Sequence, residues 1–142
     1  MREYRTCSVQ ETEQLASEFA KELKRGDVIA FTGGMGAGKT AFVRGLAKGL
    51  GVSGEVSSPT YAIVNEYRGN PALYHFDMYR VESSEDLFTT GYYDYLDEGE
   101  SILAVEWSEN ITDSLPEQTI YVNITPLSES ERKIQIIGGN RF

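Results

Sequence analysis

Cysteine, basic residues and long apolar runs are all scarce in this 142-residue chain, and each scarcity removes a class of function. With Cys7 as the only cysteine, no internal disulfide and no thiolate metal cluster can form, and a buried, unreactive thiol is the state to expect. Thirteen Lys and Arg against 22 Asp and Glu give a formal charge of −9, which argues against a surface that grips nucleic acid by neutralising phosphates. A small anionic ligand in one local pocket, or a protein partner with basic patches, is compatible with that balance. No apolar run is long enough to span a bilayer, and the polar start "MREYRTCSVQETEQ" does not read as a signal peptide, so a cytoplasmic chain without a membrane partner is expected. No repeat, low-complexity tract or linker divides residues 1–142, which is the usual size of one domain.

What is present reads as alternating helices and strands. Ser8 and Glu11 form a capping-box pattern, and Leu15, Ala16, Phe19, Ala20 and Leu23 recur at helical spacing, so a helix is expected over about residues 9–25, stopped by Gly26. "DVIAF", residues 27–31, is a short apolar strand, and a second helical pattern through Phe42, Val43, Leu46, Ala47 and Leu50 ends at Gly51. Residues 59–67 and 72–79 are β-rich and separated by Gly69, Asn70 and Pro71, as a hairpin or as neighbouring strands. Residues 83–96 suit one or two short helices capped by Ser83 or Ser84. The continuous apolar run of residues 101–107 suits a strand covered on both faces. Residues 119–124 and 132–137 alternate like strands that close a sheet, and "GGNRF" at the end is expected to fray.

Between the first strand and the second helix lies "GGMGAGKT", which satisfies G-x-x-x-x-G-K-[ST] in full. A loop that wraps a phosphate must turn successive backbone N–H groups inward, which calls for glycine wherever a Cβ would collide or φ is positive. The helix that begins at Lys39 adds its unpaired N–H groups and the positive end of its dipole. Lys39 then reaches the β- and γ-phosphates, and the Thr40 hydroxyl binds Mg²⁺.

Such a loop works with an acid at the end of a neighbouring strand. Glu106 ends the more apolar run, "ILAVE", and is expected on the metal; Asp77 ends "LYHF" and is expected near the γ-phosphate, orienting water or the mobile loop. Thr60, in "SSPTY", either senses the γ-phosphate or belongs to a proline turn that begins a strand. His75, the only histidine, reads as a packed or hydrogen-bonded core residue rather than a base or ligand. Arg80 either shares the site with Asp77 or makes a surface ion pair.

Taken together, "GGMGAGKT", "SSPTYAIVNEY", "YHFDMYR" and "AVEWSE" resemble the TsaE family, bacterial P-loop ATPases required for synthesis of threonylcarbamoyladenosine in tRNA. The resemblance runs from the first helix to the late strands. It implies an α/β, P-loop NTPase-like three-layer fold with a mixed, mostly parallel sheet flanked by helices. It also implies that Gly33, Gly34, Met35, Gly36, Ala37, Gly38, Lys39, Thr40 and Ala41 bind ATP or ADP with Mg²⁺, Thr40 being a metal ligand. Glu106 matches the family's second metal-associated acid, Thr60 its switch-like threonine, and Asp77 the aspartate tied to hydrolysis. Trp107 would lie beside the nucleotide, and Ser8 (or Cys7) and Arg132 fall where the family contacts it. The chain departs from the family's pattern at Gly34, where Asp is frequent, and at Cys7, where a hydroxyl residue is usual. The implied partners are TsaB and TsaD, the second of which transfers the threonylcarbamoyl group, so that tRNA is met only through the complex.

Three other functions fit the same loop. A small-molecule kinase usually carries an arginine-rich lid, which this chain lacks. A GTP-driven switch needs N-K-x-D for guanine, also lacking. A nucleotide-sensing scaffold would bind ADP with negligible turnover. No arginine is obviously placed to stabilise the transition state, so slow hydrolysis alone and faster hydrolysis with partners is expected.

Overall fold

A computed structural model describes residues 1–33, 38–52, 64–139 and 141–142. The elements are β1 (Arg2–Thr6), α1 (Val9–Ala20), β2 (Val28–Thr32), α2 (Lys39–Leu50), β3 (Val64–Tyr67), β4 (Leu73–Asp77), α3 (Ser84–Thr89), α4 (Tyr92–Glu98), β5 (Ile102–Glu106), a 3-10 segment (Ser108–Ser114), β6 (Ile120–Pro126) and β7 (Arg132–Gly138). The seven strands form one sheet in the order β1-β7-β6-β2-β5-β4-β3. Strands β6, β2, β5 and β4 run parallel at its centre, and antiparallel partners flank them on both sides. No helix among the described residues is long and apolar enough to cross a membrane.

Alternation along the central strands sends neighbouring side chains into two cores. Ile29, Phe31, Ile102 and Ala104 meet Ala16, Phe19, Phe42 and Leu46 of α1 and α2. Val28, Leu103, Val105 and Phe76 meet Leu87 and Tyr92 of α3 and α4. Helices thus cover both faces of a sheet whose middle is buried throughout, as the unbroken apolar run of β5 requires. The three-layer α/β architecture expected from the sequence is the one found.

The local signals act where they stand. Ser8 Oγ accepts from Glu11 N–H at 3.1 Å, and Glu11 returns the favour one residue earlier, accepting from Cys7 N–H at 3.0 Å. Ser83 caps α3 in the same way through Asp86 N–H. Residues 64–67 and 73–77 pair antiparallel as β3 and β4; the remainder of the 59–67 strand lies outside the described residues.

Three expectations need correction, and one strand was not anticipated. Helix α1 ends at Ala20, not near residue 25; the chain then turns toward Gly26, whose N–H reaches Ser101 O. Cys7 is exposed rather than buried, since it precedes the helix cap on the outside of the turn. Residues 2–6 form an edge strand that their polarity hid: Thr6 is buried, and the whole strand pairs with β7. Arg141 and Phe142, expected to fray, are held in place. Arg141 donates to Asp27 Oδ1 at 2.6 Å and to Glu22 O at 2.9 Å, and the Phe142 ring meets Phe19 edge-on at 5.0 Å.

Candidate functional site

The C-terminal ends of parallel strands are where an open α/β sheet gathers loops and leaves a crevice. Here β2 runs out into Gly33, β5 into Trp107 and β4 into Met78, and α2 starts beside them. Gly38 caps α2 with φ of 102°, a left-handed conformation that glycine adopts without strain. Gly34, Met35, Gly36 and Ala37, expected to complete the loop, lie outside the described residues, as does Thr60.

Lys39 opens α2 and is buried, with 7% of its surface exposed. Its Nζ donates to Gly33 O at 3.2 Å and sits 5.4 Å from the centroid of the Trp107 ring. No carboxylate pairs with it among the described residues. Among the described residues this buried ammonium meets a carbonyl and an aromatic face but no carboxylate, an arrangement with charge left to offer an anion. Thr40 follows in the same turn, half-buried, and Ala41 is buried behind it.

Asp77 and Glu106 stand side by side as register partners on β4 and β5. Asp77 is half-buried, and its Oδ1 accepts from Tyr79 N–H at 3.0 Å, which fixes the direction of the carboxylate. Glu106 is buried, and its Oε2 lies 2.6 Å from His75 Nε2, at hydrogen-bond distance. Beyond the strand ends, Met78 N–H donates to Glu106 O and Asn110 Nδ2 to Met78 O, while Ser108 Oγ donates to Phe31 O. These bonds tie the exits of β4, β5 and β2 together. Trp107 sits within that knot in a left-handed conformation with φ of 57°, the one non-glycine with positive φ among the described residues. Its ring meets Tyr79 at 4.9 Å. Arg80 is exposed and has no ion pair among the described residues.

A cavity of about 360 Å³ adjoins the start of α2, lined by Ser8, Thr12, Gly38, Ala41, Ser130 and Arg132 among others. Arg132 shapes its rim, donating to the carbonyls of Ser128 (2.9 Å), Glu131 (3.0 Å) and Glu129 (3.3 Å). A Cβ placed on Gly38 would stand 3.8 Å from Arg132 Nε. The cap residue of the first helix and a residue near the far end of the chain therefore border the same space as the end of the glycine loop.

The structure thus assembles two clusters from the expected residues: Gly33, Lys39, Asp77, Glu106 and Trp107 at the strand ends, and Ser8, Gly38, Ala41 and Arg132 around the cavity. Reading the residues did not reveal the pairing of His75 with Glu106. The H-x-D spacing puts His75 and Asp77 on one face of β4, but nothing local says that β5 lies alongside. Ser108 and Asn110 were also missed, since a serine and an asparagine after a strand carry no signal of their own.

A family model described as threonylcarbamoyl adenosine biosynthesis protein TsaE matches residues 6–134. The tRNA threonylcarbamoyladenosine biosynthesis protein TsaE of Treponema pallidum is 36% identical over 129 residues, which cover 91% of this chain and 95% of that protein. Its counterpart in Bacillus subtilis is 39% identical over 142 residues, covering 98% and 87%. The crystal structure of Bacillus subtilis YdiB superposes with a TM-score of 0.81 at 34% identity, covering 99% of this chain and 88% of that one.

Proposed function

The chain belongs to the TsaE family, which serves the biosynthesis of threonylcarbamoyladenosine in tRNA, and from that premise we propose that it is a magnesium-dependent ATPase acting with the TsaB and TsaD proteins. The observation that carries the nucleotide reading is Lys39, a buried ammonium at a helix N-terminus with no carboxylate to neutralise it among the described residues. A polyphosphate supplies the missing charge, and the N–H groups at the start of α2 supply its hydrogen bonds.

The donors present suit magnesium. The described residues contain no group of three or more His, Cys, Asp or Glu that could cage a metal. Magnesium needs none, because it keeps several waters and is bound through one or two protein oxygens and the phosphates. Thr40 and Glu106 would hold it, and when bound it neutralises charge on the phosphate oxygens.

The chain's own residues divide the remaining work. Lys39 binds the β- and γ-phosphate oxygens. Asp77, held by Tyr79 N–H, orients a water toward the γ-phosphorus; the water oxygen bonds to phosphorus, the bond to the β-γ bridging oxygen breaks, the water's two protons end on the released phosphate, and ADP leaves. Trp107 covers the lysine side of the site. The cavity bordered by Ser8, Gly38 and Arg132 takes the nucleoside. The −9 charge suits a chain that meets tRNA only through its partners.

Calorimetry with ADP and ATP, with and without magnesium, tests the reading directly. Binding with a magnesium-dependent gain in affinity is expected, together with a change in Trp107 emission. No heat at millimolar nucleotide from folded protein would refute it. Turnover is expected to rise when TsaB and TsaD are added, because the sequence carries no arginine-rich segment to stabilise the transition state; equal rates with and without them would remove the partner part of the proposal.

A further inference from the structure

We propose that His75 is a positioning residue that aims Glu106: a fully buried imidazole bonded through Nε2 to one carboxylate oxygen of Glu106 at 2.6 Å, its other nitrogen without a hydrogen-bond partner among the described residues. The inference rests on the reading of Glu106 as the acid that serves magnesium. Registered partners on neighbouring strands share a face, as do residues two apart on one strand, so His75, Asp77, Ala104 and Glu106 all project to the same side. Ala104 is the registered partner of His75, and its single methyl leaves room for the Glu106 side chain to lie back diagonally and meet the ring.

Two features separate aiming from mere core filling. First, Nδ1 of His75 is buried without a hydrogen-bond partner among the described residues. A buried polar ring satisfied on one side only is a poor source of stability compared with an apolar residue of the same shape. Its contribution lies in what it does to Glu106. Second, a proton on Nδ1 would be buried with no acceptor among the described residues, so of the two tautomers the one that donates from Nε2 to the carboxylate is the one the geometry accommodates. A lysine or arginine in this place would fix Glu106 but cancel its charge. An imidazole donating from Nε2 fixes the direction of the carboxylate without carrying a permanent positive charge, as outer hydrogen bonds do for carboxylates that serve metals.

The test compares His75→Asn with His75→Gln. The Gln amide reaches the place of Nε2 and can still donate to Glu106; the Asn amide reaches only as far as Nδ1 and cannot. The quantity read is the ratio of ADP dissociation constants without and with magnesium. His75→Gln is expected to keep the wild-type ratio, and folded His75→Asn to lose at least about 10-fold of the magnesium effect while its magnesium-free ADP affinity is unchanged. A folded His75→Asn with the full magnesium effect, or one that binds ADP worse with and without metal alike, overturns the inference. A wild-type chain that takes up no ADP overturns the nucleotide reading and this inference with it, whereas normal wild-type binding beside an unaltered variant overturns this one alone. Because the chain has one histidine, ring-nitrogen NMR of the unsubstituted protein gives an answer that does not depend on any variant folding. A proton on Nε2, a bare Nδ1, and a response to Mg·ADP beyond that to ADP alone are expected; a proton on Nδ1 overturns the inference.

Discussion

On one face of the sheet, α2 lies so close to α1 that a Cβ added to Gly45 would stand 2.3 Å from Glu13 O, and one added to Gly49 would stand 2.4 Å from Ser17 O. On the other face, α3 and α4 are only six and seven residues long, and Phe88 points into solvent with 74% of its surface exposed. The first face is packed backbone against backbone and carries Lys39 at the tip of one of its two helices. The second is packed through aromatic rings, with Phe76 edge-on to Tyr92 at 5.9 Å. Charge divides similarly. No lysine or arginine lies between Arg80 and Arg132, and Glu82, Glu85, Asp86, Asp94, Asp97 and Glu98 fall on or beside α3 and α4. The excess acidic charge thus gathers beside one layer, while the buried ammonium opens the other.

Breaking the first face at its tip has the largest expected effect. Lys39→Ala should cut ATP turnover by about 100-fold or more, the scale set by removing one preorganised charge stabiliser, with the melting temperature nearly kept. Retained turnover would refute the site. Next is Gly45→Ala. The added methyl meets backbone and the Ala16 Cβ, at 2.6 Å, neither of which can rotate away. A loss of about 1–3 kcal/mol in urea unfolding is expected, against a helix-propensity gain of about 1 kcal/mol, and ADP affinity should fall with it because α2 presents Lys39. Unchanged stability would mean that the two helices are not held as close as described.

The second face should yield less. Tyr92→Phe removes the bond from its hydroxyl to Ser114 O at 2.9 Å and should cost about 1 kcal/mol at neutral pH. Burial pushes the Tyr92 phenol up to about 12 from 10.0, so the folded state holds its proton where the unfolded chain has lost it. That contribution is complete below pH 10 and fades as pH rises toward 12, and Tyr92→Phe should flatten this alkaline decline. A variant with the same alkaline profile as the parent would show that another group is responsible. Smallest of all, Phe88→Ser should shift stability by no more than about 0.5 kcal/mol, since its ring is already in water. A loss above 1 kcal/mol in the isolated chain would contradict the contrast between the faces.

Strong signals in the sequence were those satisfied within a few residues. The Ser8–Glu11 and Ser83–Asp86 caps each close over three positions, and the start of α2 at Lys39 follows from the glycine before it. The alternating and continuous apolar runs were enough for β5, β6 and β7. Strand β1 escaped notice because an edge strand with one buried face can be almost wholly polar and still pair. The ordered C-terminus escaped because Arg141 and Phe142 find their partners at Asp27 and Phe19, more than a hundred positions away.

What the sequence determined alone, then, was the list of groups and their immediate conformations: a glycine loop before a helix, two acids after apolar strands, a lysine at the helix start. Local hydrogen bonding and side-chain periodicity suffice for these, because each involves neighbours along the chain. Only the tertiary structure decided that Glu106 is held by His75, that Lys39 lies under Trp107, and that Ser8 and Arg132 border one cavity beside Gly38. Those meetings depend on strand order and register, which are set by how two whole cores pack against one sheet and not by any short stretch of residues.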